Sequence, residues 1–312
     1  VGEVRTTIFN IDEVSNLVDV QVIMNGEESR MGGAFLREHT IGTGGTFTDK
    51  VLGTEDGALQ VFTRTYSDLM SETTTDSTDP AGEQSRKEMN AESELDDGIV
   101  QFTLEEGTFV ASFPEDEDGD EDLLEGLRGS LPFASCLPEG AVEVDDEWEV
   151  EAVLIWEMLH LGGELSLVDL DADEDDIALM EALEDPDLPE ISGDITGTLT
   201  SVEDGLATIT FDIELNVIRD MTEAMLAFAS ESPEGAPAIE LMQNEKDYEG
   251  EGEMVWDMRG GYMVSMELEL TFEDVQIMDM LLPFGRDGIS MEQTTTSEGE
   301  TSASFEVEVV RE

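Results

Sequence analysis

Apolar residues along this chain recur at every second position over many short stretches, the period of strands with one dry and one wet face. Thr6 to Phe9 and Leu17 to Met24 read as strands, followed after a Gly-rich stretch by Gly45 to Leu52 and then Leu59 to Tyr66. The Asp56-Gly57 step between the last two is a strong short-range hairpin signal. Ile99 to Leu104 and Thr108 to Phe113, joined through Glu105, Glu106 and Gly107, form a second hairpin. Asp194 to Val202 and Leu206 to Leu215 flank Asp204-Gly205 in the same way. Set beside Val51 to Tyr66, they make a weak internal repeat of strand, acidic turn and strand. Gly252 to Arg259, Tyr262 to Phe272 and Ala303 to Val310 continue the strand pattern.

Ser71 to Asp97 is polar, Thr-rich and interrupted by Pro80, which predicts a long loop. Helical signals are short. Asp173 to Leu183 places Ile177, Leu179, Met180 and Leu183 behind acids suited to a helix N-terminus, and Pro186 and Pro189 end it. Asp220 to Phe228 sets Met221, Met225 and Phe228 at helical spacing. The expected fold class is therefore mainly β: antiparallel hairpins forming a curved sheet, a sandwich or a half-barrel, pseudo-duplicated or not, with two or three short helices. Two regions are expected, an N-terminal hairpin region over 1–135 with its polar loop at 71–97, and a second β-rich region with the short helices over 136–312.

Charge changes this picture most. The chain of 312 residues carries 78 Asp and Glu against 13 Lys and Arg, a formal net charge of -65. A compact monomer of 34.2 kDa exposes roughly 13,000 Å², which spaces the net charges about 14 Å apart. That exceeds a Debye length of about 8 Å at 0.15 M salt and falls inside the roughly 30 Å of a 0.01 M solution. Saline water is the expected solvent, with divalent cations as counter-ions. Nucleic acid and anionic lipid are poor partners, because the densest basic stretch is Arg86-Lys87 with acids around it. No run of 18 apolar residues offers a membrane-spanning helix. The chain opens on Val1 without a basic and then apolar leader, as expected of an exported protein after removal of its signal. Apolar residues make up 39%, enough for a core.

Around Leu137-Pro138, Val142, Val144, Asp145-Asp146 and Trp148 a motif emerges, with Leu123 to Leu127 before it and Gly162 to Leu165 and Gly252 to Asp257 after it. Over residues 95 to 275 the chain resembles uncharacterised secreted or lipoprotein-like β-rich proteins of marine planctomycete-type bacteria. In that family a segment Leu-Pro-x-x-x-Val-x-Val-Gly-Asp-x-Trp enters the second half of a β-rich domain. Asp145 stands where the pattern has Gly. The resemblance implies export and β-rich architecture, and no activity.

Candidate chemistry is sparse. The two densest acidic runs are 115–122 and 169–176. Asp116, Asp118 and Asp120 in the first, and Asp171, Asp173 and Asp175 in the second, fall at the alternate spacing of calcium-loop ligands. Neither has the rest of an EF-hand: Gly119 comes one place early, Asp176 stands where the second run needs Gly, and Ala182 stands where it needs Glu. Solvated surface is the bland explanation; weakly bound calcium is the only cofactor they suggest. His39 and His160 share no zinc spacing, and no Gly-x-Ser-x-Gly elbow or phosphate loop occurs. Cys136 reads as a small buried hydrophobe. Trp148, Trp156 and Trp256 sit in strand-like contexts as core anchors, and the methionines of the last third either fill a core or line an adaptable groove.

These features together suggest a non-catalytic secreted, cell-surface or periplasmic structural or binding protein of saline water, self-assembling through calcium bridges, with the least charged strand-like stretches, Gly42 to Thr48 and Thr294 to Ser304, at subunit contacts. Two alternatives belong to other classes: a periplasmic or extracellular carrier enclosing an apolar ligand in a half-barrel, and a hydrolase using two carboxylates of unlike pKa.

Overall fold

Among the described residues, fourteen strands form one antiparallel sheet. The structure, a computed structural model, describes residues 2–29, 36–55, 58–78, 82–115, 117, 119–163, 165–169, 189–223, 225–226, 238–282 and 289–311. The strands are β1 (Glu3–Met24), β2 (Glu27–Ser29), β3 (Leu36–Glu55), β4 (Ala58–Thr78), β5 (Gln84–Ser93), β6 (Ile99–Glu105), β7 (Thr108–Ser112), β8 (Glu147–Val150), β9 (Leu167–Asp169), β10 (Glu190–Glu203), β11 (Leu206–Asp220), β12 (Ala238–Asp257), β13 (Tyr262–Leu282) and β14 (Ile289–Arg311). Their order is β7-β6-β4-β3-β1-β14-β13-β12-β11-β10-β8, with β2 beside β1 and with β5 and β9 beyond the upper half of β4. The ends of the order, β7 and β8, do not pair, so the sheet is curved and open rather than closed into a barrel. β1 pairs with β14 from Glu3↔Arg311 to Met24↔Met291, so the first and last strands of the chain lie side by side within the sheet.

Local chemistry explains the hairpins. Asn25-Gly26, Glu106-Gly107 and Asp204-Gly205 all take positive φ at both central positions, the turn whose twist matches paired strands. Register then sorts the side chains. One face carries Phe9, Phe211, Ile213, Leu215, Met254, Met266, Leu268, Leu270 and Phe305, all buried. Glycines on that face let large neighbours lie over the backbone: Gly252 stands between Phe211 and Leu268, and a Cβ on Gly299 would meet the Phe272 ring at 2.5 Å.

A single sheet needs a cover for its apolar face, and residues 119–163 supply it. They contain two 3-10 turns, Glu121–Leu124 and Pro132–Cys136, and helix α1 (Ala152–Leu159). Phe133 lies against Phe305 with ring centroids 5.6 Å apart, and α1 packs on β10. Arg64 of β4, fully buried, fastens this cover. Its guanidinium holds Asp49 with two hydrogen bonds of 2.7 and 2.9 Å and donates to the carbonyls of Arg128 and Gly129 at 2.9 and 3.2 Å. Phe47, Phe62 and Phe102 surround it at 4.9, 5.5 and 5.3 Å. Burial works against this charge, but Asp49 outweighs it and raises the pKa of the guanidinium.

Several sequence expectations are corrected here. Ser71 to Asp97 is mostly not a loop: β4 runs on to Thr78 and β5 pairs with it from Gln84 to Glu92. Trp156 belongs to α1, not a strand, because Ala152–Leu159 is apolar nearly all round and has neither period to read. Gly42 to Thr48 lies in β3 and Thr294 to Ser304 in β14, both interior strands with hydrogen-bonded neighbours on each side. They therefore offer no free edge to a second subunit. The helix expected over Asp173 to Leu183 lies outside the described residues. Of the one expected over Asp220 to Phe228, Met225 N donates to Met221 O, one turn, and Phe228 lies outside the described residues.

Asp145 has φ 74, a left-handed conformation that costs a non-glycine residue about 1 kcal/mol. Asp145→Gly should raise the stability by about 1 kcal/mol, read as a higher urea midpoint with unchanged slope. A fall in the midpoint would mean that the Asp145 side chain contributes more than its backbone strain costs.

Candidate functional site

The long strands continue past the core, and there the inner face changes character. Successive cross-strand rows replace Phe and Leu by Ser15, Leu17, Ser297, Asp274 and Lys246, then by Thr295, Gln276 and Asn244. On β3 the same face carries His39 and Arg37. These residues line a cleft of about 360 Å³ formed by Ser15, Leu17, Arg37, His39, Asn244, Asp274, Gln276, Gln293, Thr295 and Ser297. One same-face position along β12 and β13 from Lys246 and Asp274 stand the buried rings of Tyr248 and Phe272, 5.7 Å apart, which do not line the cleft.

Curvature is what brings these groups together. Lys246 Nζ meets Glu13 Oε2 at 2.7 Å, although β13 and β14 lie between their strands. Three strand spacings amount to about 14 Å on a flat sheet, so twist and bending bring the two together on this face, while on the opposite face the same strands enclose acid-lined clefts of about 990 and 780 Å³. Lys246 also sits 3.8 Å from the Phe272 centroid, and Thr301 donates to the same Glu13 oxygen at 3.3 Å. Asp274 accepts a hydrogen bond from Asn244. Burial raises its carboxyl above the ordinary value, with Lys246 and Asn244 pulling it back. Burial, then Arg37, lower the His39 imidazole, which shares a hydrogen bond with Thr75 Oγ1 at 2.9 Å. Among the described residues Glu13 and Asp274 thus each have a partner, and this cleft presents no free acid and base pair.

The charge is distributed unequally between the two faces. Alternation puts Arg5, Arg37, Arg64, Lys87, Arg219 and Lys246 on the inner face, together with Glu3, Glu13, Asp49 and Asp274, and Lys50 and Arg86 on the outer face. The outer face collects carboxylates in rows, so that Asp194 faces Glu214, Asp212 faces Glu251, Glu214 faces Glu249, and Glu251 faces Glu269. Glu253 faces Glu267, Asp247 faces Glu273, Glu273 faces Glu298, and Asp279 faces Glu292. A surface of this kind is incompatible with contact with lipid tails.

The candidate residues of the acidic runs fare differently. Asp120 caps the first 3-10 turn, its carboxylate accepting from Asp122 N at 3.2 Å. Asp116, Asp118, Asp171, Asp173 and Asp175 lie outside the described residues. Among the described residues no three His, Cys, Asp or Glu converge as a metal site. Cys136 is buried in the second 3-10 turn, and burial pushes its thiol up to about 12. Trp148 donates to its carbonyl at 2.9 Å. His160 follows α1 and shares a hydrogen bond with the Trp156 carbonyl at 3.0 Å. The methionines divide in two: Met254, Met263 and Met266 are core, whereas Met242, Met278, Met280 and Met291 are half-buried beyond the cleft. Sequence reasoning missed Arg37, Asn244, Asp274, Gln276 and Gln293; scattered over four strands, they share no local spacing.

No family model matches the chain, and no curated protein matches it. Two solved structures are reported as similar. The InvG secretin domain β-barrel of the Salmonella SPI-1 injectisome has 9% identity and a TM-score of 0.16, over 100% of this chain and 64% of that one. A Pseudomonas aeruginosa FadL homologue has 7% identity and a TM-score of 0.21, over 98% and 90%. The chain thus spans less than two thirds of the secretin-domain chain.

Proposed function

We propose that this is a non-catalytic, extracytoplasmic binding protein of saline surroundings that holds a small ligand on the inner face of its open sheet. One observation carries the proposal: in a chain with a net charge of -65, the inner face sets Arg37, His39 and the amides of Asn244, Gln276 and Gln293 around a cleft with one carboxylate, Asp274, while acids face one another in rows on the outer face. A concave cleft with a few convergent polar groups is where small ligands bind. Native mass spectrometry of the folded chain after incubation with small-molecule extracts tests this. A stoichiometric adduct on 34.2 kDa supports binding; a bare chain in every extract overturns it.

Calcium-bridged self-assembly is the second proposal, favoured by the facing carboxylates of the outer face. Light scattering through a calcium titration at constant ionic strength decides it. A rise to large species supports bridging between outer faces, and a constant mass discards it.

A further inference from the structure

We infer that the inner-face cleft, together with the methionines beyond it, is a site for a single-chain amphiphile with an anionic head. This rests on the binding reading above and names its ligand class. Two independent features adjoin. The first is polar. Arg37 lines the cleft with one carboxylate, Asp274, which Asn244 already engages, and Arg219 stands opposite Asn244 on the neighbouring strand. Neither enters an ion pair among the described residues. Guanidinium groups favour carboxylate or sulfonate heads because their planar N–H forks match those oxygens. Asn244, Gln276 and Gln293 add neutral amides beside them.

The second feature is apolar. In the last cross-strand row Met24 faces Met291, which faces Met280. One row inward Met278 faces Met242. Register places these five side chains on the cleft's own face, and all five are half-buried. Unbranched thioethers adapt to a flexible chain where branched side chains would fix one shape. A polar head zone followed along the strands by a pliable apolar zone matches an amphiphile lying parallel to them. The core rows below are closed by Phe and Leu, so the tail runs outward. At high salt the Debye length of about 3 Å at 1 M screens the outer carboxylates from an approaching anion.

Calorimetric titration of the full chain in concentrated sodium chloride, free of divalent cations, tests the inference. The probes are decanoate below its micelle concentration, decanol as its uncharged analogue, and gluconate as an anion without a tail. Decanoate is expected to bind one per chain, with decanol and gluconate each about tenfold weaker or more. Arg37→Gln, a change at an exposed residue, should weaken decanoate about tenfold and leave decanol unchanged. Met278→Gln should weaken decanoate and decanol alike. Lack of saturation by decanoate, gluconate binding as tightly as decanoate, decanol binding as tightly as decanoate, or an Arg37→Gln variant that binds decanoate normally would each overturn it. If decanoate fails while mass spectrometry retains another small molecule, the amphiphile falls and the binding reading stands. If neither binds, both fall.

Discussion

Diluting the salt from about 2 M to about 0.01 M should unfold this protein, seen as loss of the β circular-dichroism signal and as a urea midpoint falling steadily with ionic strength. The outer face is the cause. Side chains directly opposite across an antiparallel pair lie about 5 Å apart, and like charges there cost about 0.2–1 kcal/mol each. The eight facing carboxylate pairs on β10 to β14 therefore cost about 5 kcal/mol together when unscreened. A domain has only about 5–15 kcal/mol to lose. Neutralising the centre of the array with Glu249→Gln, Glu251→Gln and Glu269→Gln should shift the salt requirement downward. A stability that is flat across this salt range, or unmoved by the triple change, would show that the facing carboxylates cost nothing measurable.

The second large effect is at Arg64. Arg64→Met keeps apolar volume among Phe47, Phe62 and Phe102, yet it strips Asp49 of its counter-charge and leaves the carbonyls of Arg128 and Gly129 without their donor. Removing one partner of a buried pair costs about 3–5 kcal/mol. Because those carbonyls belong to the segment that covers the apolar face, the loss should appear first as loosening of that cover. Cys136, buried there with its thiol pushed up to about 12, is the reporter. The parent chain should resist thiol reagents at neutral pH, and the variant should react while keeping its β signal. Adding Asp49→Leu to Arg64→Met should recover part of the loss, since it removes the uncompensated charge. An Arg64→Met chain with the parent's urea midpoint and an inert thiol would show that the cover is held by packing alone.

What was legible in the sequence follows from burial. Where one face of a strand is dry, as in Leu206 to Leu215 or Tyr262 to Phe272, residues alternate and the strand can be read. Where the two faces are alike, alternation vanishes although the backbone still pairs. Ser71 to Thr78, polar on both faces, and Val275 to Leu282, with apolar residues on both, are therefore strands that pattern alone misplaces or truncates. The β1 strand reads as two pieces for the same reason, its middle from Asn10 to Asn16 having no buried side chain.

By itself the sequence determined the excess of charge and the class of fold: 78 acids stand against 13 bases, and two-residue periodicity with Asp-Gly and Glu-Gly turns yields antiparallel hairpins. Only the tertiary structure decided which face each charge takes and which distant strands meet. Glu13 and Lys246 are 233 positions apart in the chain yet 2.7 Å apart in the fold, because curvature sums small twists over several strands. No local spacing encodes that sum, so the cleft it builds is invisible until the sheet is assembled.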